Sequence, residues 1–363
     1  MSSQTVFRLT SRDGFEGLQA FKELIPTVGQ YEVLIKVRSV ALNQRDVAIA
    51  TSTYPLPVKD QVIPCSDMAG EVAQVGDLVN GFSIGDSVLA PLNPSFVYGV
   101  LQDSHGSDTF GGLRDGMLRE YIALPAHAMI KLPKSSHSFT QWAAVVQAGT
   151  TVWNSFYGNM PLKPGDTVLV LGKIVQTSPQ NINLPSIGTG GVSLTALIFA
   201  KAAGATTIIT SSSDKKLEYV KSKFGADHTI NYKTHPNWAA EVQRITNGQG
   251  VNHIIEISGA GTIQQSLDSV ARGGIISVIG FLTTVPQDKM PNVTMLSLIH
   301  GCVVRGVQGG SKQQLEEAVR FMGSRELQMP VDKTFGFNRD EIIVALKYVA
   351  SGEHIGKVCI NLD

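Results

Sequence analysis

A run of glycines in the second half of the chain has the composition of a phosphate-binding loop. The segment reads Gly188-Thr-Gly190-Gly191-Val192-Ser193 and precedes residues with helical spacing. Glycines permit a tight turn and a close backbone approach, so that amide N–H groups at a helix N-terminus can hold a pyrophosphate. Ser193 stands where the fingerprint has its third glycine, and a glycine-rich loop without a ligand is the alternative. The residues expected to bind a dinucleotide here are Gly188, Thr189, Gly190, Gly191 and Val192.

The end of the next predicted strand indicates which dinucleotide is bound. NAD-binding units place an acidic residue about 20 residues after the fingerprint, on the ribose 2′-hydroxyl. Here Asp214 lies late and is expected to cap the following helix. Ser211, Ser212 and Lys216 suit a 2′-phosphate instead, so NADP(H) is favoured over NAD(H). The alternative is that the lysines belong to a solvated helix face.

The elements that must position this loop alternate between apolar strands and amphipathic helices. The predicted strands are 167–171, 207–210, 228–232, 253–257 and 275–279, and the helices between them are 192–203, 215–224, 238–245 and 263–271. Such alternation predicts an α/β fold with a Rossmann-type, doubly wound parallel sheet. Residues 1–150 read as short strands, and the last 50 residues as two helices (313–322 and 339–350) and a final strand that starts at Gly356.

Composition excludes several classes of protein. The chain has 363 residues, 30 basic and 30 acidic side chains and a pI near 7.1, which argues against a nucleic-acid-binding surface. Three distant cysteines cannot form a disulfide framework. No apolar run approaches the roughly 20 residues of a membrane span, and the N-terminal residues are polar. We expect a cytoplasmic protein of two domains with a small-molecule substrate and no nucleic-acid or membrane partner.

Motifs along nearly the whole chain resemble those of the medium-chain dehydrogenases/reductases. The motifs are Ala41-Leu-Asn43-Gln-Arg45-Asp46, Pro64-Cys-Ser66-Asp67-Met-Ala-Gly70, Val79-Asn-Gly81-Phe-Ser-Ile-Gly85-Asp86, Gly111–Tyr121, Gln147-Ala-Gly149-Thr-Thr151, the Gly188 loop and Gly356-Lys357-Val. The resemblance implies a GroES-like β-rich catalytic domain over 1–152, completed by 309–363. It also implies a Rossmann NAD(P)-binding domain over 153–308, and an ability to form homodimers.

The positions that hold catalytic zinc in alcohol dehydrogenases of this superfamily carry other residues here. Where those enzymes have Cys, His-Glu and Cys, this chain has Asn43, Ser66-Asp67 and Gln147. The four-cysteine structural lobe is also absent, since residues 91–128 contain no cysteine. Zinc requires thiolate, imidazole or carboxylate ligands in tetrahedral geometry. We therefore expect a zinc-free enzyme, similar to the quinone oxidoreductases and enoyl reductases of the superfamily.

The resemblance also implies roles for individual residues. Asn43, whose amide can donate a hydrogen bond to a substrate oxygen, and Thr151 are expected to face the nicotinamide as catalytic residues. Lys357 is expected to reach the cofactor, with a solvated lysine as the alternative. Tyr232 and Gly280 complete the expected cofactor-binding residues. Asp46 is expected to be structural, and the sequence reveals no general acid.

An insertion separates the first strand of the alternating region from its glycine loop. The family pattern runs from the strand directly into Thr189-Gly-Gly, but Lys173–Gly188 adds 16 residues rich in Asn, Gln, Ser and Pro. Sixteen codons make 48 nucleotides, which keeps the reading frame. Codons for Gly172-Lys173 can contain a splice donor sequence, and codons for Ile187-Gly188 can contain a splice acceptor sequence. A retained intron and a true loop both remain open.

Together these observations predict a zinc-independent, NADPH-dependent oxidoreductase that transfers hydride to a small carbonyl compound, quinone or enone. One alternative is a zinc-type alcohol dehydrogenase. Another is a non-catalytic nucleotide-binding protein, or an inactive product of a retained intron.

Overall fold

The chain folds into two compact units. The computed structural model describes residues 2–106, 108–172, 190–280, 283 and 285–362. The β-rich unit comprises Met1–Thr150, Gly310–Ala350 and Lys357–Asp363, and the parallel-sheet unit comprises Thr151–Gly309 and Ser351–Gly356. The whole insertion 173–188, which includes Gly188 of the expected loop, and the following Thr189 lie outside the described residues. The choice between intron and loop therefore stays open.

Strands and helices are numbered in chain order. The strands of the described residues are β1 (Ser3–Leu9), β2 (Leu18–Leu24), β3 (Glu32–Ala41), β4 (Asp67–Val75), β5 (Ser87–Leu89), β6 (Tyr121–Pro125), β7 (Ile130–Lys131), β8 (Thr167–Val170), β9 (Thr206–Ser211), β10 (His228–Asn231), β11 (Val251–Glu256), β12 (Val270–Val278), β13 (Val303–Gly306), β14 (Val331–Gly336) and β15 (Lys357–Asn361). The α-helices are α1 (Gln44–Ala50), α2 (Asp103–Gly106), α3 (Phe139–Tyr157), α4 (Gly191–Ala202), α5 (Asp214–Phe224), α6 (Trp238–Ile245), α7 (Ile263–Ser269), α8 (Val293–His300), α9 (Lys312–Ser324) and α10 (Arg339–Ser351).

The parallel-sheet unit has the strand order β10-β9-β8-β11-β12-β13, and each neighbouring pair is parallel. Since β8 comes first in the chain, this is the 3-2-1-4-5-6 order of a Rossmann sheet. Its central strands are apolar on both faces, and Val168, Leu169, Ile254 and Ile255 are fully buried. The predicted α/β class with a doubly wound parallel sheet is confirmed.

Local capping residues explain where the helices of this unit begin and end. The side chain of Ser213 accepts the Lys216 N–H at the start of α5, and Gly225 ends the helix with a φ of 70°. A glycine at this position adopts the left-handed conformation without the cost that a Cβ would impose. The sequence had predicted Asp214 as the cap. This is corrected, because Asp214 lies one residue inside the helix and accepts a hydrogen bond from Asn231 Nδ2 at 2.8 Å.

The β-rich unit is built around β3. Its larger sheet runs β14-β15-β3-β4-β5-β7, with β6 also paired to β3, while β1 and β2 form a separate antiparallel pair. Apolar side chains of β3, among them Val33, Ile35 and Val37, enter a hydrophobic core with Val358 and Ile360 of β15. The pairing places Ala41, the last residue of β3, opposite Asp67 on one side and Cys359 on the other. Strands β4 and β15 thus both begin beside the end of β3.

None of the helices in the described ranges combines the length and apolar character of a bilayer-crossing segment.

Candidate functional site

The polar residues of the β-rich unit gather where β3 ends and where β4 and β15 begin. Asn43 follows β3 and precedes α1, Asp67 is the first residue of β4, and Lys357 is the first residue of β15. We call Asn43, Asp46, Ser66, Asp67 and Lys357 the Lys357 cluster. Since β3 pairs with both β4 and β15, the sheet register brings these distant positions together.

Lys357 is the cation of this cluster and is almost completely buried, with 4% of its side chain exposed. Its Nζ donates to the carbonyl oxygen of Leu42 at 2.9 Å and to Oδ1 of Asn43 at 2.7 Å. It also lies 3.5 Å from Oδ2 of Asp67. The three N–H groups of the ammonium thus have three oxygen neighbours, which a buried lysine requires.

Asp67 is the buried counter-ion, and three further contacts hold it. Its side chain is fully buried. Oδ1 accepts a hydrogen bond from Ser66 Oγ at 2.6 Å, and Oδ2 accepts the backbone N–H of Gln147 in α3 at 3.1 Å. These hydrogen bonds satisfy the polar atoms of a side chain that has no contact with solvent. Because Asp67 is itself held in place, its contact with Lys357 also helps to fix the position of the ammonium group.

In the side-chain amide of Asn43 the oxygen is hydrogen-bonded, whereas the nitrogen has no partner among the described residues. Oδ1 accepts from Lys357, and the backbone N–H of Asn43 donates to Oδ2 of Asp46 at 2.8 Å. Nδ2 is buried and has no hydrogen-bond partner among the described residues. An unpaired buried amide group costs roughly 1–3 kcal/mol, so its presence indicates a place for an acceptor.

Asp46 stabilises the turn from β3 into α1 and has a perturbed acidity. The pKa of this carboxyl group is raised from 3.8 to about 6, chiefly by burial and to a smaller extent by Asp67, while Arg45, the Asn43 N–H and Lys357 act in the opposite direction. Oδ1 has no partner among the described residues. The expectation that Asp46 is structural agrees with its contact to the Asn43 backbone.

Among the neighbours of the cluster, Arg45 was assigned no role from the sequence, whereas Cys65 was interpreted as a small buried thiol. Arg45 donates from Nη1 to the carbonyl oxygen of Phe110 at 2.8 Å and from Nε to Tyr54 Oη at 3.2 Å. Cys65 is buried, and burial raises the pKa of its thiol. The roles of Asp67 and Ser66 in holding Lys357 were also missed. The sequence feature that could have indicated these roles was the position of Ser66-Asp67 in the motif, where the zinc alcohol dehydrogenases of the superfamily have His-Glu.

The described part of the glycine loop lies at the end of β8 in the parallel-sheet unit. Gly190 precedes α4, Gly191 and Val192 open it, and Ser193 Oγ donates to the carbonyl oxygen of Leu171 at 2.9 Å. A Cβ at Gly190 would meet no described atom within 4 Å, which leaves room at this helix start. The serine at the third fingerprint position thus fastens the helix start to the strand end.

Gly280 and Thr151 occupy other parts of this unit. A Cβ at Gly280 would lie 1.9 Å from the carbonyl oxygen of Ile257. Only glycine therefore allows the chain after β12 to approach the chain after β11 this closely. Thr151 is buried in α3, and its carbonyl oxygen accepts from Ser155 Oγ at 2.8 Å. The expected contacts of both residues with a cofactor stay predictions.

Ser211, Ser212 and Tyr232 lie at the carboxyl ends of β9 and β10, and Lys216 lies in the first turn of α5, which follows β9. The Tyr232 N–H donates to the carbonyl oxygen of Ser211 at 3.0 Å. Burial raises the pKa of the Tyr232 hydroxyl, and a hydrogen bond with Ser212 opposes that shift. Lys216 Nζ donates to the carbonyl oxygen of Glu353 at 3.0 Å. Ser211 has a buried Oγ without a partner among the described residues, whereas Ser212 and Lys216 are partly exposed.

A buried carboxylate in this unit was not singled out from the sequence. Glu256, at the end of β11, is fully buried. Its Oε1 accepts the N–H groups of Ser258 and Gly259 and the hydroxyl of Thr262, and its Oε2 accepts Ser266 Oγ. These four donors hold the carboxyl group of Glu256 in place, so this residue orders the turn after β11.

Comparisons with known proteins agree with this architecture. Residues 29–134 match the alcohol dehydrogenase GroES-like domain, and residues 191–324 match the zinc-binding dehydrogenase family. A zinc-type alcohol dehydrogenase-like protein of Schizosaccharomyces pombe is 39% identical over 356 residues, which cover 96% of each chain. A quinone oxidoreductase-like protein 2 homolog of Nematostella vectensis is 28% identical and covers 92% of this chain and 82% of its own.

A solved structure of a putative alcohol dehydrogenase from Sinorhizobium meliloti superposes on the whole chain. The TM-score is 0.85 at 30% identity, and the match covers 100% of both chains. The chain therefore belongs to the medium-chain dehydrogenase/reductase superfamily and is an oxidoreductase of that superfamily. The resemblance inferred from the sequence motifs is confirmed, including the GroES-like part of the fold.

The residues present do not fit the zinc ion that the family description names. The matched positions hold Asn43, Ser66-Asp67 and Gln147, and none offers a thiolate or an imidazole. Both Asn43 Oδ1 and the Asp67 carboxylate already face the Lys357 ammonium, and a divalent cation would have to share them with it. Within the described ranges, no group of three His, Cys, Asp or Glu side chains could hold a metal. Zinc independence stays a prediction.

A nicotinamide dinucleotide, which this superfamily binds, fits the residues of the parallel-sheet unit. A Cβ at Gly190 would meet no described atom within 4 Å at the start of α4, where backbone N–H groups of a helix favour a phosphate. Ser211 Oγ is a buried hydroxyl without a described partner at the end of β9. The strand order places both features at the carboxyl edge of the sheet, where ligands bind in such folds.

We predict that replacing Asp46 changes the pH dependence of stability. Since the folded-state pKa of about 6 exceeds the ordinary value of 3.8, the folded protein binds this proton more tightly than the unfolded chain. The contribution of Asp46 to the free energy of unfolding therefore falls as the pH rises from the ordinary pKa of 3.8 to the folded-state pKa of about 6, by on the order of 3 kcal/mol at most. Asp46→Asn resembles the protonated acid but does not titrate, so its stability relative to the wild type should increase from pH 4.5 to pH 7.

Urea unfolding at the two pH values measures this difference. Asp60→Asn, at an exposed position, serves as the control and should give the same difference at both pH values. An Asp46→Asn difference that is independent of pH would contradict the raised pKa.

Proposed function

We propose that the protein is a zinc-independent, NADPH-dependent oxidoreductase that reduces a small carbonyl compound, quinone or enone. The single observation that carries this proposal is the buried Nδ2 of Asn43, a hydrogen-bond donor without a described partner. It stands at a position that holds a zinc ligand in alcohol dehydrogenases of the superfamily. A hydrogen-bond donor and a metal ion both stabilise negative charge on a substrate oxygen.

The roles of this chain's residues follow from that arrangement. When bound, NADPH supplies a hydride, which carries two electrons to a substrate carbon, and it leaves as NADP⁺. Asn43 Nδ2 donates a hydrogen bond to the substrate oxygen, on which negative charge develops during the transfer. Asn43 does not give up a proton, so solvent supplies the proton that completes the product. The relative described as quinone oxidoreductase-like supports the choice of acceptor class.

The experiment measures NADPH and NADH oxidation by the purified protein against small quinones, enals, enones and ketones. We expect turnover with at least one of these acceptors and less than stoichiometric zinc by elemental analysis. Stoichiometric zinc with activity lost on chelation would favour the zinc-type alcohol dehydrogenase. Cofactor binding without turnover on any acceptor would favour the non-catalytic nucleotide-binding protein.

In the same assay, Asn43→Ala should lower kcat/KM by about 10²–10³-fold, the usual effect of losing one oxyanion donor. Gln44→Ala, at the neighbouring exposed position, is the matched control and should leave kcat/KM unchanged. An Asn43→Ala variant with wild-type kcat/KM would remove Asn43 from the mechanism.

The preference for NADPH is a second prediction and rests on the residues at the ends of β9 and β10. Lys216→Ala removes a cation that can contact the 2′-phosphate, which is worth roughly 1.5–3 kcal/mol, or a 10- to 150-fold rise in Kd for NADPH. Binding of NADH should change little. Fluorescence titration with both dinucleotides measures the two Kd values.

Lys215→Ala is the control, since Lys215 is exposed on the same helix turn. Equal losses of NADH and NADPH affinity in Lys216→Ala would mean that this residue does not distinguish the two cofactors. This outcome would not contradict the proposed reduction of a carbonyl compound, quinone or enone, because that proposal rests on Asn43.

A homodimer is the assembly we propose. Strand β13 is an edge strand of the sheet order, and apolar side chains near it are exposed: Met295 at 52%, Leu298 at 77%, Ile299 at 54% and Val303 at 37%. An edge strand beside exposed apolar residues favours pairing with another chain. Light scattering should give twice the mass of 38.9 kDa, and Leu298→Glu should lower that mass. A monomeric wild type would contradict the proposal.

A further inference from the structure

We propose that Lys357 is a positioning residue of this enzyme, and that its buried ammonium holds the Asn43 amide with Nδ2 presented to the substrate oxygen. The inference rests on the proposed function, because it assigns a task to the same amide group. The positive charge beside Asn43 and Asp67 comes from a lysine of β15, and so from the protein itself.

The hydrogen bond between Lys357 and Asn43 determines which way the amide points. An ammonium group can only donate hydrogen bonds. The atom of Asn43 that lies 2.7 Å from Nζ must therefore be the carbonyl oxygen. The reversed amide would place two donors against each other at hydrogen-bond distance. Lys357 thus selects the one orientation in which Nδ2 lies on the side away from the ammonium, without a partner among the described residues.

Two other contacts prevent the ammonium from following Asn43 if the amide moves. The carbonyl oxygen of Leu42 accepts one N–H group of Nζ, and the carboxylate of Asp67 attracts the charge from 3.5 Å. Asp67 is itself held by the Gln147 N–H of α3 and by Ser66. The backbone N–H of Asn43 is held in addition by Asp46. The donor is therefore fixed before a substrate arrives, as preorganised catalysis requires.

The charge on Lys357 also strengthens the donor. A positive group at Oδ1 withdraws electron density from the amide, and this makes its N–H groups better donors. Negative charge that develops on the substrate oxygen is attracted to the ammonium through the buried surroundings of the cluster, where electrostatic interactions are stronger than in water. Lys357 acts through Asn43 in this scheme and does not touch the substrate.

A double-mutant cycle tests this inference. Lys357→Met keeps the length of the side chain and removes its charge and donors. We expect it to lower kcat about 10- to 100-fold for the acceptor with the highest rate, with KM changed less than about threefold. In an Asn43→Ala background the same substitution should lower kcat less than about threefold, because the group through which Lys357 acts is gone. Lys347→Met, at an exposed helical position, is the control and should leave kcat unchanged.

A measurement without substrate or cofactor gives an independent readout. Comparing ¹⁵N–¹H spectra of the wild type and Asn43→Ala identifies the side-chain NH₂ signals of Asn43. In Lys357→Met these two signals should shift and broaden, because the amide is no longer held in one orientation. Unchanged signals would overturn the proposal.

Lys357→Met leaves the buried Asp67 without its counter-ion, and the variant can fail to fold for that reason. The double variant Lys357→Met/Asp67→Asn removes both charges and should show the same loss of kcat with a folded circular dichroism spectrum. If Lys357→Met lowers kcat by the same factor with and without Asn43, the positioning role is wrong while the proposed function stands. If Asn43→Ala has no effect, the proposed function of Asn43 fails first.

Discussion

The buried contact of Lys357 with Asp67 and Asn43 is the constraint around which the β-rich unit is arranged. Taking an ammonium and a carboxylate out of water costs several kcal/mol for each ion, and only close mutual contact and further hydrogen bonds offset that cost. Here Ser66, the Gln147 N–H and the Leu42 carbonyl provide those bonds. Any shift of β15 against β3 would separate the Lys357 ammonium from Asn43 and Asp67 and leave the Asp67 carboxylate buried without its counter-ion. The site and the strand pairing are therefore stabilised by the same interactions.

An ammonium and a divalent metal place different demands on the residues around them. Zinc binds its ligands at about 2.0–2.3 Å and prefers thiolate or imidazole groups. An ammonium donates to neutral oxygens at ordinary hydrogen-bond lengths, and the oxygens of the Asn43 amide and the Leu42 carbonyl accept from it here. Without the Lys357 ammonium, the Asp67 carboxylate would be buried without a counter-ion. An ammonium is thus the cation that this set of side chains fits.

The sequence predicted helices and strands well where the spacing of apolar residues followed one helical or strand period over the whole element. Helix α6 has the predicted bounds, and the strand after Gly356 is found as β15. Helix α1 was not predicted because seven residues are too short for a clear helical period. Asn43 was predicted as the donor from its residue type and motif. Its contact with Lys357 spans 314 positions of sequence, and only the pairing of β3 with β15 brings the two together.

The alternation of side chains along β15 explains how a lysine can be placed in this site at all. Val358 and Ile360 enter the hydrophobic core of the β-rich unit. Because successive side chains of a strand point to opposite faces, Lys357 and Cys359 lie on the other face. There Cys359 Sγ approaches the carbonyl oxygen of Thr140 in α3, the helix that also supplies the Gln147 N–H to Asp67. A one-residue slip would exchange the faces and bury the ammonium among aliphatic side chains. The apolar residues of β15 therefore enforce the register that the charged residue needs.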